Sequence, residues 1–211
     1  MSLLQGRDPL FAASAQEAGI MPGTAHAAQP ARLVADSSYS SDALAPADFA
    51  YLLHLQRQAL HYFLDNQFSH GLMLDRQHNH GPLRSHGWCS TATTGMGMIA
   101  LAVASMPPHQ LLTPSAAATR IAAGLQTALE KLPHDRGIVP HFVDSSSHMV
   151  WGDDHLSTVD SAWLVAGALT AAALLQDAQV QALAEQLYER IDWAHWTAPD
   201  VIGRASCRER V

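Results

Sequence analysis

The chain has 211 residues, 48% hydrophobic and 15% charged, so it is long enough to bury one core and too apolar to be mainly disordered. Acids outnumber bases 19 to 12, a formal charge of -7, which disfavours a nucleic-acid surface built on Lys and Arg. The longest apolar run, Ala162 to Leu175, is shorter than the roughly 20 residues a bilayer needs and contains a Gly and a Thr, so no membrane span is expected.

Residues 1–44 are rich in Ala, Ser, Gly and Pro without a sustained period and read as a leader or disordered linker. Ala25-His26-Ala27 has the form of a signal-peptidase site, but Asp8, Gln16 and Glu17 interrupt the apolar stretch such a signal requires. From Pro46 the pattern changes. Pro46 suits a first helical turn, Asp48 complements the helix dipole, and Leu52, Leu53, Leu55, Leu60, Phe63 and Leu64 recur at helical spacing, which predicts a helix over 46–67.

A loop with Gly71, Gly81, Pro82 and Gly87 follows. Ser90 or Thr91 then caps a second helix, which Pro107 and Pro108 stop. A third helix runs from Pro114 to Leu132, before Pro133. Residues 137–152 read as a short hairpin or extended excursion, followed by helices from Ser157 or Thr158 to Leu175 and over 178–191. The second and fourth helices are small and apolar on every side, and an all-round apolar helix is one that others surround. The order outer, inner, outer, inner, outer suits an α/α toroid; a plain helical bundle is the alternative.

Both loops entering the apolar helices are long and rich in His, Asp, Trp and Arg, and long loops on a rigid scaffold commonly form a site. This mixture suits sugar binding: carboxylates bond hydroxyls and transfer protons, and indoles stack on pyranose faces. Asp160, in the first turn of the fourth helix, is the leading acid/base residue, with Asp75 as a second carboxylate. Arg76, Trp88, His141, Trp151, Asp153 and Asp154 are the expected substrate ligands. There are 13 His, but no HExxH, no CxxC and no second tight His pair beside His78 and His80. No metal and no cofactor is expected. Gly95-Met96-Gly97 lacks the preceding strand of a dinucleotide fingerprint and reads as close helix packing.

Several stretches occur in the order found in one family. Leu55-Gln56-Arg57-Gln58-Ala59-Leu60-His61-Tyr62-Phe63 resembles its opening helix, Gly71-Leu72-Met73-Leu74-Asp75-Arg76 its Gly-Leu-x-x-Asp-Arg turn, and Thr94-Gly95-Met96-Gly97-Met98 its small-residue inner helix. Gly137-Ile138-Val139-Pro140-His141-Phe142 resembles its Gly-x-x-Pro-His-Trp segment, and Ile191-Asp192-Trp193-Ala194-His195-Trp196 its Val-Asp-Trp-x-Trp-Phe ending. Residues 50–197 thus resemble glucoamylase-like proteins related to glycoside hydrolase family 144, which act on β-1,2-glucans, and the similar segment of cyclic β-1,2-glucan synthases. Asp153 to Ser161 is similar to the family's Asp-Asp-Gly-Gly-Asp-Leu-Val-Glu-Thr, with Asp160 standing where the hydrolases have Glu and Ser157 replacing another acid.

The resemblance implies the N-terminal part of an all-α (α/α)6 toroid, about five of its twelve helices, occupying residues 45–201. It implies hydrolysis of a bacterial β-glucan, an oligo- or polysaccharide partner, a periplasmic or secreted location and a monomer when complete. The alternatives are a polysaccharide lyase on a similar toroid and a catalytically silent sugar-binding module. Residues 202–211 resemble a translated sequencing adapter, which implies that the natural protein continues past Val201 and that Cys89 is its only visible cysteine.

Overall fold

The computed structural model describes residues 44–78 and 80–196. The leader, Asn79 and the adapter-like tail with Cys207 lie outside the described residues. Helix α1 spans Pro46–Asp65 and strand β1 Trp88–Ser90; helix α2 spans Thr91–Ser105 and α3 Pro114–Glu130. Strand β2 spans Phe142–Asp144, followed by α4 at Thr158–Leu175, α5 at Ala178–Glu189 and a single turn, α6, at Trp193–Trp196. The mostly helical class expected from the sequence is what the chain adopts, and its helix starts follow local chemistry. Pro46 and Pro114 occupy first turns, while Ser90, Thr113, Ser157 and Asp177 accept backbone N–H groups from the turns they cap.

The core forms where α2 and α4 meet. A Cβ on Gly95 would lie 2.3 Å from the Trp163 carbonyl oxygen, and one on Gly167 would lie 2.1 Å from the Gly95 carbonyl oxygen, so the two backbones touch. Met98, Leu101, Leu164 and Ala168 are buried around this contact, with Ile121 and Leu125 from α3 and Val180 and Leu187 from α5. Gly71, at φ 88°, lays the first long loop against Gly124 of α3; its turn needs a left-handed conformation and the space leaves no room for a side chain.

Two features differ from the sequence expectation. The first long loop ends in a strand, β1, which pairs antiparallel with β2 in the register Trp88–Asp144, Cys89–Val143 and Ser90–Phe142. The excursion at 137–152 is therefore half of a sheet whose other half lies 54 positions earlier. Second, α4 is not buried all round. Val159, Trp163 and Leu169 are 58%, 50% and 37% exposed, because the described residues pack α2, α3 and α5 against only one side of it. Helix α4 is also, among the described residues, long and apolar enough to cross a membrane by length and composition, with 18 residues of mean hydropathy 1.5. Its Gly167 side packs on the protein.

Candidate functional site

Residues 139–141 bind the starts of both apolar helices. The Thr91 N–H donates to the His141 carbonyl at 3.0 Å and the Thr91 hydroxyl to the Pro140 carbonyl at 2.8 Å. On the other side, the Ser157 N–H donates to the Val139 carbonyl at 3.0 Å, and the Val139 N–H to the Ser161 hydroxyl at 3.0 Å. One extended strap therefore joins the first turns of α2 and α4, which puts both N-termini, with their partial positive charge, at the same end of the molecule.

His141 leaves that strap between two carboxylates. Its Nε2 is 3.7 Å from an Asp160 oxygen and its Nδ1 4.0 Å from an Asp154 oxygen. Its ring stacks on Phe142 at 3.5 Å between centroids. Both acids are positioned by local structure. Asp154 accepts the Phe142 N–H at 2.5 Å, which locks the turn at 151–154 onto the strap. Asp160 is held by the helix cap: Ser157 accepts the Asp160 N–H at 3.2 Å, and the Ser157 hydroxyl donates to the Asp160 carboxylate. The first-turn acid expected from the sequence is thus a helix-start stabiliser and a neighbour of His141 at once.

A second group lies along the sheet. Asp75 accepts from Arg76 Nε at 2.6 Å and from Trp88 Nε1 at 3.3 Å, while the Arg76 guanidinium sits 5.7 Å over the Trp88 ring. Trp151 lies beside Trp88, with centroids 5.2 Å apart, and its backbone N–H donates to the Phe142 carbonyl at 3.1 Å. Side chains alternate across a strand. Cys89 and Val143 accordingly face the core, and Trp88 and Phe142 share the opposite face with the aromatic and carboxylate groups. Of the residues expected from sequence, Asp154, His141 and Asp160 form one cluster; Asp75, Arg76, Trp88 and Trp151 form the other; Asp153 is exposed on the connecting turn.

Sequence reading missed the residues that hold these loops. Tyr62, on α1, donates its hydroxyl to the carbonyls of Leu74 and Asp75 at 2.9 and 2.8 Å, and burial beside Asp75 raises its pKa. Asp144 closes the β2 turn by accepting the N–H groups of Ser146 and Ser147 and the Ser147 hydroxyl, contacts that hold its carboxyl below the ordinary carboxylate value. Buried Ser145 accepts the Gly87 N–H through its hydroxyl at 3.0 Å and donates its own N–H to the Gly87 carbonyl at 2.9 Å, tying the two long loops together. Burial pushes the Cys89 thiol up to about 12, so it is an inert core group at neutral pH. The Ser-x-x-Asp spacing of Ser157 and Asp160 and the Asp144-Ser145-Ser146-Ser147 run are local signals; the partners of Tyr62 and Ser145 are distant in sequence.

Among the described residues no group of three or more His, Cys, Asp or Glu side chains is gathered for a metal ion. A cavity of about 260 Å³ lies elsewhere, between α1 and α2, lined by Gln56, Ala59, Leu60, Phe63, Val103 and His109. It contains no carboxylate and belongs to neither cluster.

The fold is that of part of an α/α toroid. No protein-family model and no curated protein matches the chain. Solved structures do match its fold. A candidate glucoamylase from Bacteroides fragilis NCTC 9343 superposes with a TM-score of 0.59 at 21% identity, over 74% of this chain and 39% of that one. An endo-β-1,2-glucanase from Chitinophaga pinensis, solved with sophorotriose and glucose, gives 0.58 at 19% identity over 70% and 38%. A β-1,2-glucanase from Parabacteroides distasonis gives 0.57 at 18% identity over 69% and 21%. The chain therefore spans between about a fifth and two fifths of the length of these neighbours.

Proposed function

We propose that the strap-held end of this chain is a carbohydrate site of the glycoside hydrolase type, with a bacterial β-glucan, β-1,2-linked, as its substrate. The observation that carries this reading is that Phe142 links the two clusters: its ring stacks on His141, which Asp154 and Asp160 flank, and its carbonyl accepts the backbone N–H of Trp151, beside Trp88. Glycoside hydrolysis needs a carboxylic acid to protonate the leaving oxygen and a carboxylate to activate water or attack the anomeric carbon. Asp160 takes the acid/base role, and Asp75, Asp154 or a carboxylate outside the described residues takes the second. The glycosidic C–O bond breaks, the departing oxygen takes the proton, and water supplies the hydroxyl to the anomeric carbon. His141 positions Asp160, while Trp88 and Trp151 provide apolar faces for pyranose rings. The glucanase names of the structural neighbours support the choice of substrate.

One observation favours a second reading, a sugar-binding module without catalysis: the Asp160 carboxylate is already engaged by the Ser157 hydroxyl. The lyase alternative loses support because the arginines that would neutralise a uronate have other partners. Arg76 pairs with Asp75, Arg136 with Asp192 at 3.4 Å, and Arg84 meets His78 at 2.8 Å.

Incubation with β-1,2-glucan and with a uronate polymer separates these readings. New reducing ends from the glucan without absorbance near 235 nm are the expected result, about 235 nm being where an unsaturated uronate product absorbs after proton abstraction. Glucan binding without new reducing ends would establish the module, and absorbance with the uronate polymer would establish elimination.

A further inference from the structure

We infer that His70 and His148 form an acid-sensitive latch between the two long loops, closed while both rings are neutral and released when either is protonated. Its consequence for sugar binding rests on the proposed site, but the latch itself does not. His70 lies on the first loop and His148 on the turn after β2, and their rings meet edge to face at 4.7 Å between centroids.

The hydrogen bonds of His70 specify a neutral ring. Its Nε2 is 2.8 Å from the Ser145 carbonyl, which can only accept, so Nε2 carries the proton. Its Nδ1 lies 3.4 Å from the Leu72 N–H, which can only donate, so Nδ1 must be bare. A second proton would turn that acceptor into a donor facing a donor. His148 Nε2 is buried without a hydrogen-bond partner among the described residues, so a proton added there would find no acceptor while the latch is closed, and His148 sits at φ 60°.

The surroundings oppose a charge on either ring. Phe68 stacks on His70 at 5.3 Å from the loop side, Lys131 faces both histidines from the end of α3, and each ring faces the other. Three contacts favour a charge and are outweighed: the Ser145 carbonyl and the backbone of His70 itself act on His70, and Asp144, already engaged by Ser146 and Ser147, acts on His148. Burial, the neighbouring His148 and Lys131 lower the His70 pKa below the ordinary 6.5, and burial and Lys131 lower that of His148. The open state therefore binds more protons just below neutrality. The latch's contribution is fully present above about pH 6.5 and is lost as pH falls through that value toward the folded pKa values.

The parts the latch joins are those of the site. Ser145, which accepts the His70 proton, also holds Gly87, the residue before Trp88. Release of His70 loosens the hold on β1 and with it the alignment of Trp88 and Asp75.

Hydrogen–deuterium exchange on the full chain at pH 7.5 and 5.0, corrected for intrinsic rates, tests this. An opening that takes up one proton is favoured up to about tenfold per pH unit. Protection in peptides covering 70–90 and 142–150 is expected to fall about tenfold or more at pH 5.0, with α2 and α4 unchanged. In the double variant His70→Gln, His148→Asn, the glutamine amide can still donate to Ser145 and asparagine tolerates the positive φ, so the acid loss should shrink to about threefold or less. If the double variant does not fold, His148→Asn alone, which keeps both His70 hydrogen bonds, should show a loss intermediate between these. An undiminished loss in the variants, no loss in the native chain, or equal loss across α2 and α4 would overturn the latch. None of these readouts requires sugar or activity, so failure of the proposed function leaves the test intact.

Discussion

Asp160→Asn is expected to reduce release of reducing ends from β-1,2-glucan by about 100-fold or more, the usual scale for loss of a positioned acid or base, while leaving sugar affinity within about threefold. Asparagine keeps the side-chain oxygen that accepts from the Ser157 hydroxyl, so the helix start survives, and it cannot exchange a proton with the glycosidic oxygen. Asp160→Glu is the informative companion. The extra methylene restores the acid present in the resembling hydrolases, but it must displace the short contact with Ser157. Proton transfer depends on reach at the scale of an ångström, so a rise in rate with Glu would mean that Asp160 sits short of its substrate. Equal rates for the native chain and Asp160→Asn would remove Asp160 from the chemistry.

The second large effect concerns the scaffold. Replacing Gly167 by Ala ordinarily favours a helix by about 1 kcal/mol. Here the new methyl would lie 2.1 Å from the Gly95 carbonyl oxygen and 2.6 Å from its Cα. Both are backbone atoms and cannot rotate away, so α2 and α4 must separate. A net loss of about 3 kcal/mol is expected from such overpacking, lowering the melting temperature by roughly 6–12 °C for a chain of this size. Ala173→Gly, on the exposed face of α4, provides the contrast at about 1 kcal/mol. A Gly167→Ala chain that melts at or above the native temperature would show that the two helices do not touch there.

The helices were legible because their signals are local. Pro46, Pro114 and the capping Ser90 and Ser157 each act within one turn, and Gly95 reads as a close-packing residue from its apolar neighbours. The sheet was not legible, because Trp88 and Asp144 become partners only after an intervening helix pair has folded, and a three-residue strand gives no periodicity of its own. The strap was hidden for the same reason: nothing in Val139-Pro140-His141 announces that its carbonyls serve two helices on opposite sides. Candidate residues could be chosen by type, since Asp, His and Trp are the groups a sugar site uses, but their division into two clusters follows from long-range hydrogen bonds. Asp153 illustrates the difference. It has the right chemistry and the right neighbours in sequence, yet it stands exposed on the turn while Asp154 turns inward to the Phe142 N–H.

The central claim is that two loops and two helix starts converge on one sugar site. A two-dimensional 15N NMR titration of the full chain with a β-1,2-linked glucotriose addresses it directly. Saturable shifts are predicted at the indole N–H signals of Trp88 and Trp151 and at the amides of His141, Asp154 and Asp160, with Trp193 unmoved. Shifts centred on the α1–α2 cavity around Leu60 and Val103, or none at saturating sugar, would contradict it.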